Sequence, residues 1–85
     1  MPCTVLLSKR AAKFLEGLRD RALYMRLRAA IDALAHEPVP PGSKSLTGRE
    51  GFRVRVGDYR ILSTVNRGKL LVCVIEIGNR RDIYR

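Results

Sequence analysis

The amino-acid sequence predicts an α+β domain: an N-terminal strand, then an antiparallel two-helix hairpin packed on one face of an antiparallel β-sheet. Three observations predict this class. Apolar residues recur at helical spacing between Ser8 and His36, polar and apolar residues alternate over Phe52–Val56, and an apolar run spans Leu70–Ile77. Helices confined to one face of an antiparallel sheet are typical of α+β proteins. The 85 residues suffice for one domain, which we assign to residues 1–85.

The first two elements are a short strand and an amphipathic helix. Thr4–Leu7 is an apolar segment bounded by Ser8, a residue type that often begins a helix by accepting a backbone hydrogen bond. The following segment has apolar residues at positions i, i+3, i+4 and i+7, which form one helical face. These residues are Ala11, Phe14, Leu15 and Leu18.

A second helix follows a break at Gly17–Asp20, with Asp20 as its N-cap. Its apolar face is formed by Leu23, Leu27, Ala30, Ile31 and Leu34. The prolines at positions 38, 40 and 41 cannot continue a helix, so we predict its end near His36. At that position the histidine ring is expected to interact with terminal carbonyl groups rather than to act in catalysis. Residues 37–51 are rich in Pro, Gly and Ser and are predicted to form a connecting loop.

The segment Phe52–Ile61 (FRVRVGDYRI) predicts a tight β-hairpin. Gly57 and Asp58 form a two-residue turn with glycine first, which sets Val56 opposite Tyr59, Arg55 opposite Arg60 and Val54 opposite Ile61. One face then carries apolar side chains, and the other carries Arg53, Arg55 and Arg60 together. Like charges directly opposite each other destabilise a sheet. The arrangement therefore predicts an anion-binding surface.

The segment Leu70–Ile77 predicts the next strand. It is apolar on both faces, which is typical of a central strand. We predict that Gly78 ends this strand. Ile83 and Tyr84 indicate a final short extended segment that returns to the sheet.

The charge of the chain indicates a polyanionic partner. Seventeen Lys and Arg residues oppose eight Asp and Glu residues, which gives a formal net charge of +9. Residues 44–85 hold ten of the basic and four of the acidic residues, so the anion site is expected there. Most of these basic residues are arginines, which suit bidentate phosphate contacts.

Other site classes are not indicated by the sequence. Cys3 and Cys73 lack partners at metal-ligand spacing and are expected to be buried free thiols, so no metal site and no cofactor are predicted. No apolar run is long enough for a membrane span, and Ser8–Arg10 interrupts the N-terminal apolar segment before it reaches secretory-signal length. We therefore expect a cytoplasmic protein.

Two motifs, Phe52–Ile61 and Gly78–Tyr84 (GNRRDIY), resemble the RelE/ParE toxin superfamily, and specifically its RelE branch. Ser8–Leu15 (SKRAAKFL) is similar to the opening of that family's first helix, and Lys44–Gly48 (KSLTG) to the segment before its hairpin. The resemblance covers nearly the whole chain. It implies a helical hairpin on an antiparallel sheet with basic residues on the exposed concave face.

The resemblance also implies a function. RelE-type members are toxins of type II toxin–antitoxin pairs that enter the ribosomal A site and cleave mRNA there without a metal. A cognate antitoxin with an acidic or amphipathic segment is expected to wrap around the toxin in a hetero-oligomer. By position, the implied catalytic residues are Arg53, Arg55, Arg60, Arg80 and Tyr84. The candidate RNA-binding residues are Lys44, Arg49, Arg81 and Arg85.

The chain departs from the family pattern at the basic pair and before the C-terminal arginine. Many relatives have lysine where Arg53 and Arg55 stand, and histidine where Asn79 stands. Arginine stays protonated and is a poor general base. The identity of the base is therefore left open, and Tyr84 has two candidate roles: general base, or stacking partner for an RNA base.

Two other functions are compatible with the sequence. The first is a ParE-like inhibitor of DNA gyrase, against which the combination of Arg80 and Tyr84 argues. The second is a catalytically inactive homologue that binds RNA or the ribosome through the same basic face, with strong salt dependence and no product.

Overall fold

The computed structural model describes residues 2–79, in which two helices pack on a five-stranded sheet. The elements in chain order are β1 (Thr4–Leu7), α1 (Lys9–Glu16), α2 (Arg21–Ala33), β2 (Lys44–Ser45), β3 (Phe52–Val56), β4 (Tyr59–Asn66) and β5 (Leu71–Asn79). This architecture confirms the predicted α+β class. No helix among the described residues is long and apolar enough to cross a membrane.

The strand order in the sheet is β1-β5-β4-β3-β2. Strands β2 to β5 pair antiparallel, as predicted. Strand β1 instead runs parallel to β5, from Thr4 opposite Leu71 to Leu7 opposite Val74, so the sheet is mixed. A four-residue apolar strand carries no signal for the direction of its partner, which depends on how the helical hairpin returns the chain across the sheet.

Both helices begin at the predicted caps. The Ser8 hydroxyl accepts a hydrogen bond from the Ala11 amide at 3.1 Å, and the Asp20 carboxylate accepts one from the Leu23 amide at 3.1 Å. Helix α2 ends at Ala33, and turns continue to His36, close to the predicted end. Each cap satisfies one of the backbone donors that a helix leaves unpaired at its start.

The core lies between the helices and one face of the sheet. The helices contribute Ala11, Leu15, Leu27, Ile31 and Leu34, and the sheet contributes Ile61, Val72, Val74 and Ile77. Val54, Val56 and Tyr59 of the hairpin pack against this cluster and are half-buried. The predicted apolar face of the hairpin is thus the face covered by the helices.

Strand β5 differs from the prediction in two ways. The prediction that Gly78 ends the strand is wrong, because β5 continues to Asn79 with Gly78 opposite Arg60. Pairing with β4 satisfies the backbone there, which offsets the low strand preference of glycine. The register also shifts between Leu62 and Ser63, which leaves Ile75 as a β-bulge. The Ser8 hydroxyl donates a hydrogen bond to the Ile75 carbonyl.

The prediction of an uninterrupted loop over residues 37–51 is also wrong, because β2 lies within it. Lys44 and Ser45 pair with Arg53 and Phe52 across a turn that closes when the Leu46 amide donates to the Gly51 carbonyl at 3.0 Å. A strand of two residues is too short to show alternation, so no periodic signal marks it.

Candidate functional site

The β3–β4 hairpin has the predicted register. Val56 lies opposite Tyr59, Arg55 opposite Arg60 and Val54 opposite Ile61. Gly57 has a φ of +60°, which a glycine at the first position of a type II′ turn adopts without strain. This turn holds the two strands in the register that places the arginines on one face.

Arg53, Arg55 and Arg60, together called the arginine face, project from the side of the hairpin opposite the core. Arg55 and Arg60 are directly paired across the two strands, and Arg53 is two residues from Arg55 on β3. In a strand, residues two apart share a face, so the three guanidinium groups belong to one surface.

Strand β2 extends the arginine face by one cation. Lys44 pairs with Arg53, so three neighbouring strands each contribute a basic residue. A small cavity of about 80 Å³ lies between them. It is lined by Gly42, Lys44, Arg53, Arg55 and Arg60. A cavity of this size surrounded by cations suits a single phosphate group rather than a large ligand.

The four cations differ in exposure. Lys44 and Arg55 are exposed, Arg53 is half-buried, and Arg60 has only 8% of its surface exposed. Two unit charges 4 Å apart attract by about 1 kcal/mol in water and by about 4 kcal/mol at an effective dielectric constant near 20. Arg60 therefore has the environment in which a phosphate contact would be strongest, and the exposed cations suit attraction of the polyanion from solution.

Arg55 is oriented by the turn itself. Its Nε donates a hydrogen bond to the carbonyl of Gly57 at 3.2 Å. This bond uses one donor of the side chain and leaves the outer guanidinium nitrogens for another acceptor. The tip of the hairpin thus sets the direction of one member of the arginine face.

The structure brings together only some of the residues predicted from the sequence. Lys44 joins Arg53, Arg55 and Arg60 at the cavity, whereas Arg49 lies in the exposed turn after β2 and does not line it. The remaining candidates lie outside the described residues 2–79: Arg80, Arg81, Tyr84 and Arg85. The predicted extended segment at Ile83 and Tyr84 lies outside them as well.

Sequence reasoning missed two features of this region. Gly42 lines the cavity, and Arg26 of α2 lies against Gly57 at the hairpin tip. The glycine between Pro41 and Ser43 is an ordinary turn signal and does not predict a cavity wall. Arg26 is one of several arginines on the helices, and only the packing of α2 on the hairpin distinguishes it.

A larger cavity, of about 470 Å³, lies on the helix side of the sheet near the end of β5. Its lining includes Phe14 and Tyr59, whose ring centroids are 5.9 Å apart, and the ion pair of Arg10 with Glu76 at 2.6 Å. The arginine face contributes nothing to this cavity. Between residues 2 and 79, no group of three or more His, Cys, Asp and Glu residues could hold a metal ion.

The free thiols are less buried than predicted. Neither Cys3 nor Cys73 forms a disulfide, and both are half-buried. Leu6, rather than Cys3, lies opposite Cys73 in the sheet. Cys3 precedes the edge strand β1, and Cys73 alternates with the buried Val72 and Val74 on β5, so its side chain lies on the sheet face away from the helices.

Comparison with known proteins identifies similar toxins. Residues 5–84 match the model of the family described as ParE toxin of the type II toxin–antitoxin system parDE. The chain is 32% identical to Toxin RelG of Mycobacterium tuberculosis over 88 residues, an alignment that covers 100% of this chain and 99% of that protein.

Solved structures of such toxins have the same fold. The archaeal RelE–RelB complex from Pyrococcus horikoshii matches with a TM-score of 0.80 and 30% identity, over 96% of this chain and 99% of that one. The RelBE2 toxin–antitoxin complex of Mycobacterium tuberculosis matches with a TM-score of 0.76 and 29% identity, over 96% and 95%. The isolated RelE toxin of E. coli has a TM-score of 0.76 at 20% identity, which indicates a shared fold.

Proposed function

The chain belongs to the RelE branch of the RelE/ParE superfamily, the toxins of type II toxin–antitoxin systems, and we propose that it cleaves mRNA in the ribosomal A site and so inhibits translation. The observation that supports this activity is the cavity where Lys44, Arg53, Arg55 and Arg60 meet. Cations from three strands around a phosphate-sized space are suited to a phosphodiester that gains negative charge in its transition state.

In the proposed reaction, the RNA supplies its own nucleophile. The 2′-hydroxyl of the RNA attacks the adjacent phosphorus, a P–O2′ bond forms and the P–O5′ bond breaks. The products are a 2′,3′-cyclic phosphate and a 5′-hydroxyl. Arg60, with Arg53 and Arg55, stabilises the charge on the phosphorane-like transition state. Arg80 stabilises the negative charge on the leaving 5′-oxygen, which takes up a proton from water.

The proton of the 2′-hydroxyl needs an acceptor, and the arginine face does not supply one. Arginine side chains remain protonated in proteins and are poor general bases. In this proposal the Tyr84 phenolate accepts the proton, or water accepts it if Tyr84 instead stacks on a base of the message. The messenger and the ribosome must then supply the alignment, because correct orientation accounts for much of the rate of such a reaction.

An antitoxin partner forms part of the proposal. The RelE relative from Pyrococcus horikoshii and the Mycobacterium tuberculosis relative both occur in complexes with their antitoxins. A chain with a formal charge of +9 suits an acidic or amphipathic segment that covers the arginine face in a hetero-oligomer. The proposed substrate, an mRNA on the ribosome, places the activity in the cytoplasm.

A second candidate is inhibition of DNA gyrase. The match of residues 5–84 to the ParE toxin family model favours it. A shared fold does not determine the target, so the two activities must be separated by experiment.

Primer extension on a message translated in a purified bacterial system tests the proposal. Cuts within codons that require both the protein and ribosomes are expected, and they should disappear when Arg60 is replaced by methionine. Intact message with normal translation would contradict the proposal. Gyrase inhibition would then be tested with a supercoiling assay. Intact message with stalled translation would indicate ribosome binding without cleavage.

A further inference from the structure

Arg26 of α2 lies against the tip of the hairpin. Its helix packs on the face of the sheet opposite the arginine face. A Cβ atom built on Gly57 would lie 3.0 Å from Nη2 of Arg26, and 3.6 Å from its Cζ and Nη1. These three atoms of the guanidinium group therefore lie within 3.6 Å of the position that a Cβ atom on Gly57 would take. The guanidinium group covers Gly57 in the place that any other side chain would occupy.

Gly57 is also the residue that holds Arg55. Its carbonyl accepts the hydrogen bond from Arg55 Nε at 3.2 Å, and Arg55 is paired with Arg60. Arg26, Gly57 and Arg55 thus form a continuous series of contacts that begins on α2 and ends at the arginine face. Both contacts in the series, Arg26 with Gly57 and Arg55 with Gly57, are made to a single exposed glycine.

This glycine would be mobile without support. Gly57 and Asp58 are both exposed, and the turn joins strands whose paired Arg55 and Arg60 repel each other. Glycine loses more conformational freedom on ordering than any other residue. A group packed on the turn restricts the positions of the Gly57 carbonyl, and therefore those of the Arg55 guanidinium.

We propose that Arg26 is a positioning residue, which fixes the Gly57 turn from the helix side and thereby orients Arg55 for the transition state. The inference deepens the proposed RNA cleavage and rests on it for the kinetic part of the test. Arg26 itself is not expected to contact the RNA. Helix α2 is anchored in the core through Leu27 and Ile31, so the exposed Arg26 side chain extends to the turn from a fixed backbone.

The kinetic test uses Arg26→Ala, with Arg28→Ala as the matched control. Arg28 lies on the same helix and carries the same charge, but its Nη2 contacts Asp32 Oδ1 at 3.3 Å instead of the hairpin. Arg26→Ala should lower kcat for ribosome-dependent cleavage about tenfold with KM unchanged, since small misplacement of a catalytic group is costly. Arg28→Ala should leave both constants unchanged.

A double-mutant cycle separates positioning from independent effects. If Arg26 acts through Arg55, adding Arg26→Ala to Arg55→Ala should cause no further loss of kcat. Arg26→Lys, whose Nζ can reach the place that the Arg26 Cζ occupies beside Gly57, should restore most of the rate. A tenfold additional loss in the double variant, or a rise in KM shared by Arg26→Ala and Arg28→Ala, would overturn the inference.

A spectroscopic measurement tests the geometry without relying on catalysis. The Nε–H signal of Arg55 in a ¹H–¹⁵N NMR spectrum should be sharp in the wild type and in Arg28→Ala, and broadened or shifted in Arg26→Ala. An Arg55 signal unaffected by Arg26→Ala would overturn the positioning role even if the protein cleaves mRNA. If Arg26→Ala changes the Arg55 signal but the wild-type protein does not cleave mRNA, the contact between α2 and the hairpin is supported and only the proposed function is rejected.

Discussion

On one face of the β3–β4 hairpin, Val54 and Ile61 lie opposite each other against the helices, whereas on the other face Arg55 and Arg60 occupy the neighbouring paired position. The same two strands supply both pairs, and only the alternation of side chains separates them. The first pair is apolar and packs in or against the core. The second pair places two positive charges beside a cavity. Their repulsion destabilises the sheet, so the pair does not contribute to folding stability.

The two faces of the hairpin should therefore respond to substitution in opposite ways. Changes on the helix-covered face should alter the free energy of unfolding, because they remove buried apolar contacts. Changes on the arginine face should alter RNA cleavage and leave unfolding nearly unchanged. Each of the following four experiments tests this separation, and they are ordered by the size of the effect expected.

The largest effect is expected for Arg60→Met, which removes the charge of the most buried cation and keeps most of its aliphatic bulk. Cleavage should fall about 10³-fold, equivalent to about 4 kcal/mol of transition-state stabilisation. The measurement is single-turnover cleavage on programmed ribosomes, with thermal unfolding recorded in parallel. Arg67→Ala, in the exposed turn after β4, is the matched control and should cleave normally. If Arg60→Met is unfolded, Arg60 contributes to folding stability and the separation of the two faces is contradicted.

Ile61→Ala tests the other face one residue away. Ile61 is fully buried among the core residues, so the free energy of unfolding should decrease by about 3 kcal/mol. Urea denaturation followed by circular dichroism measures this change. The fraction of molecules that remain folded should cleave at the wild-type rate. A strongly reduced rate in fully folded Ile61→Ala protein would show that the two faces are not independent.

Gly51→Ala tests how β2 is held beside the arginine face. Gly51 has a φ of +125°, and a Cβ there would lie 2.7 Å from the Ser63 carbonyl oxygen and 3.0 Å from Leu46 Cδ1. Gly48, with a φ of +77°, has nothing within 4 Å of the same position and provides the matched control. Alanine at Gly48 should strain the backbone by about 1 kcal/mol. At Gly51 the φ of +125° and the clash together should cost more, about 3 kcal/mol. Equal destabilisation of the two variants, measured by urea denaturation, would contradict the close packing of this turn.

The smallest effect is expected for Lys44→Ala, at the exposed rim of the arginine face. The substitution should raise KM several-fold and reduce the salt dependence of RNA binding by about one phosphate contact, with kcat unchanged. Lys69→Ala removes the same charge from the exposed turn at the other end of β4 and should change neither quantity. A comparable effect from Lys69→Ala would mean that net charge, and not the position of Lys44 opposite Arg53, attracts the RNA.

Much of the fold could be predicted from local patterns. The helix caps at Ser8 and Asp20 and the hairpin register around Gly57 were predicted correctly, because each depends on a few residues close together in sequence. The continuation of β5 through Gly78 and the parallel pairing of β1 were not. Both depend on a partner strand distant in sequence, which can override the local preference of a residue.

The candidate site shows the same division. The clustering of Arg53, Arg55 and Arg60 follows from period-two alternation and a two-residue turn, so it could be predicted from ten consecutive residues. The contribution of Lys44 was predicted only as a general RNA contact, since β2 has no periodic signal. Arg26 was missed altogether, because nothing in its sequence neighbourhood indicates a contact with Gly57, 31 positions away.

Alternation and capping are local properties of the chain, so the amino-acid sequence is enough to predict the class of the fold, the excess of positive charge and the face of the hairpin that carries the arginines. Three further features are visible only in the folded protein: Arg60 is nearly buried, Lys44 lies beside it on a separate strand, and Arg26 lies against the turn. The physical reason is that burial and contact depend on which distant segments pack together, and this packing is determined by the whole core.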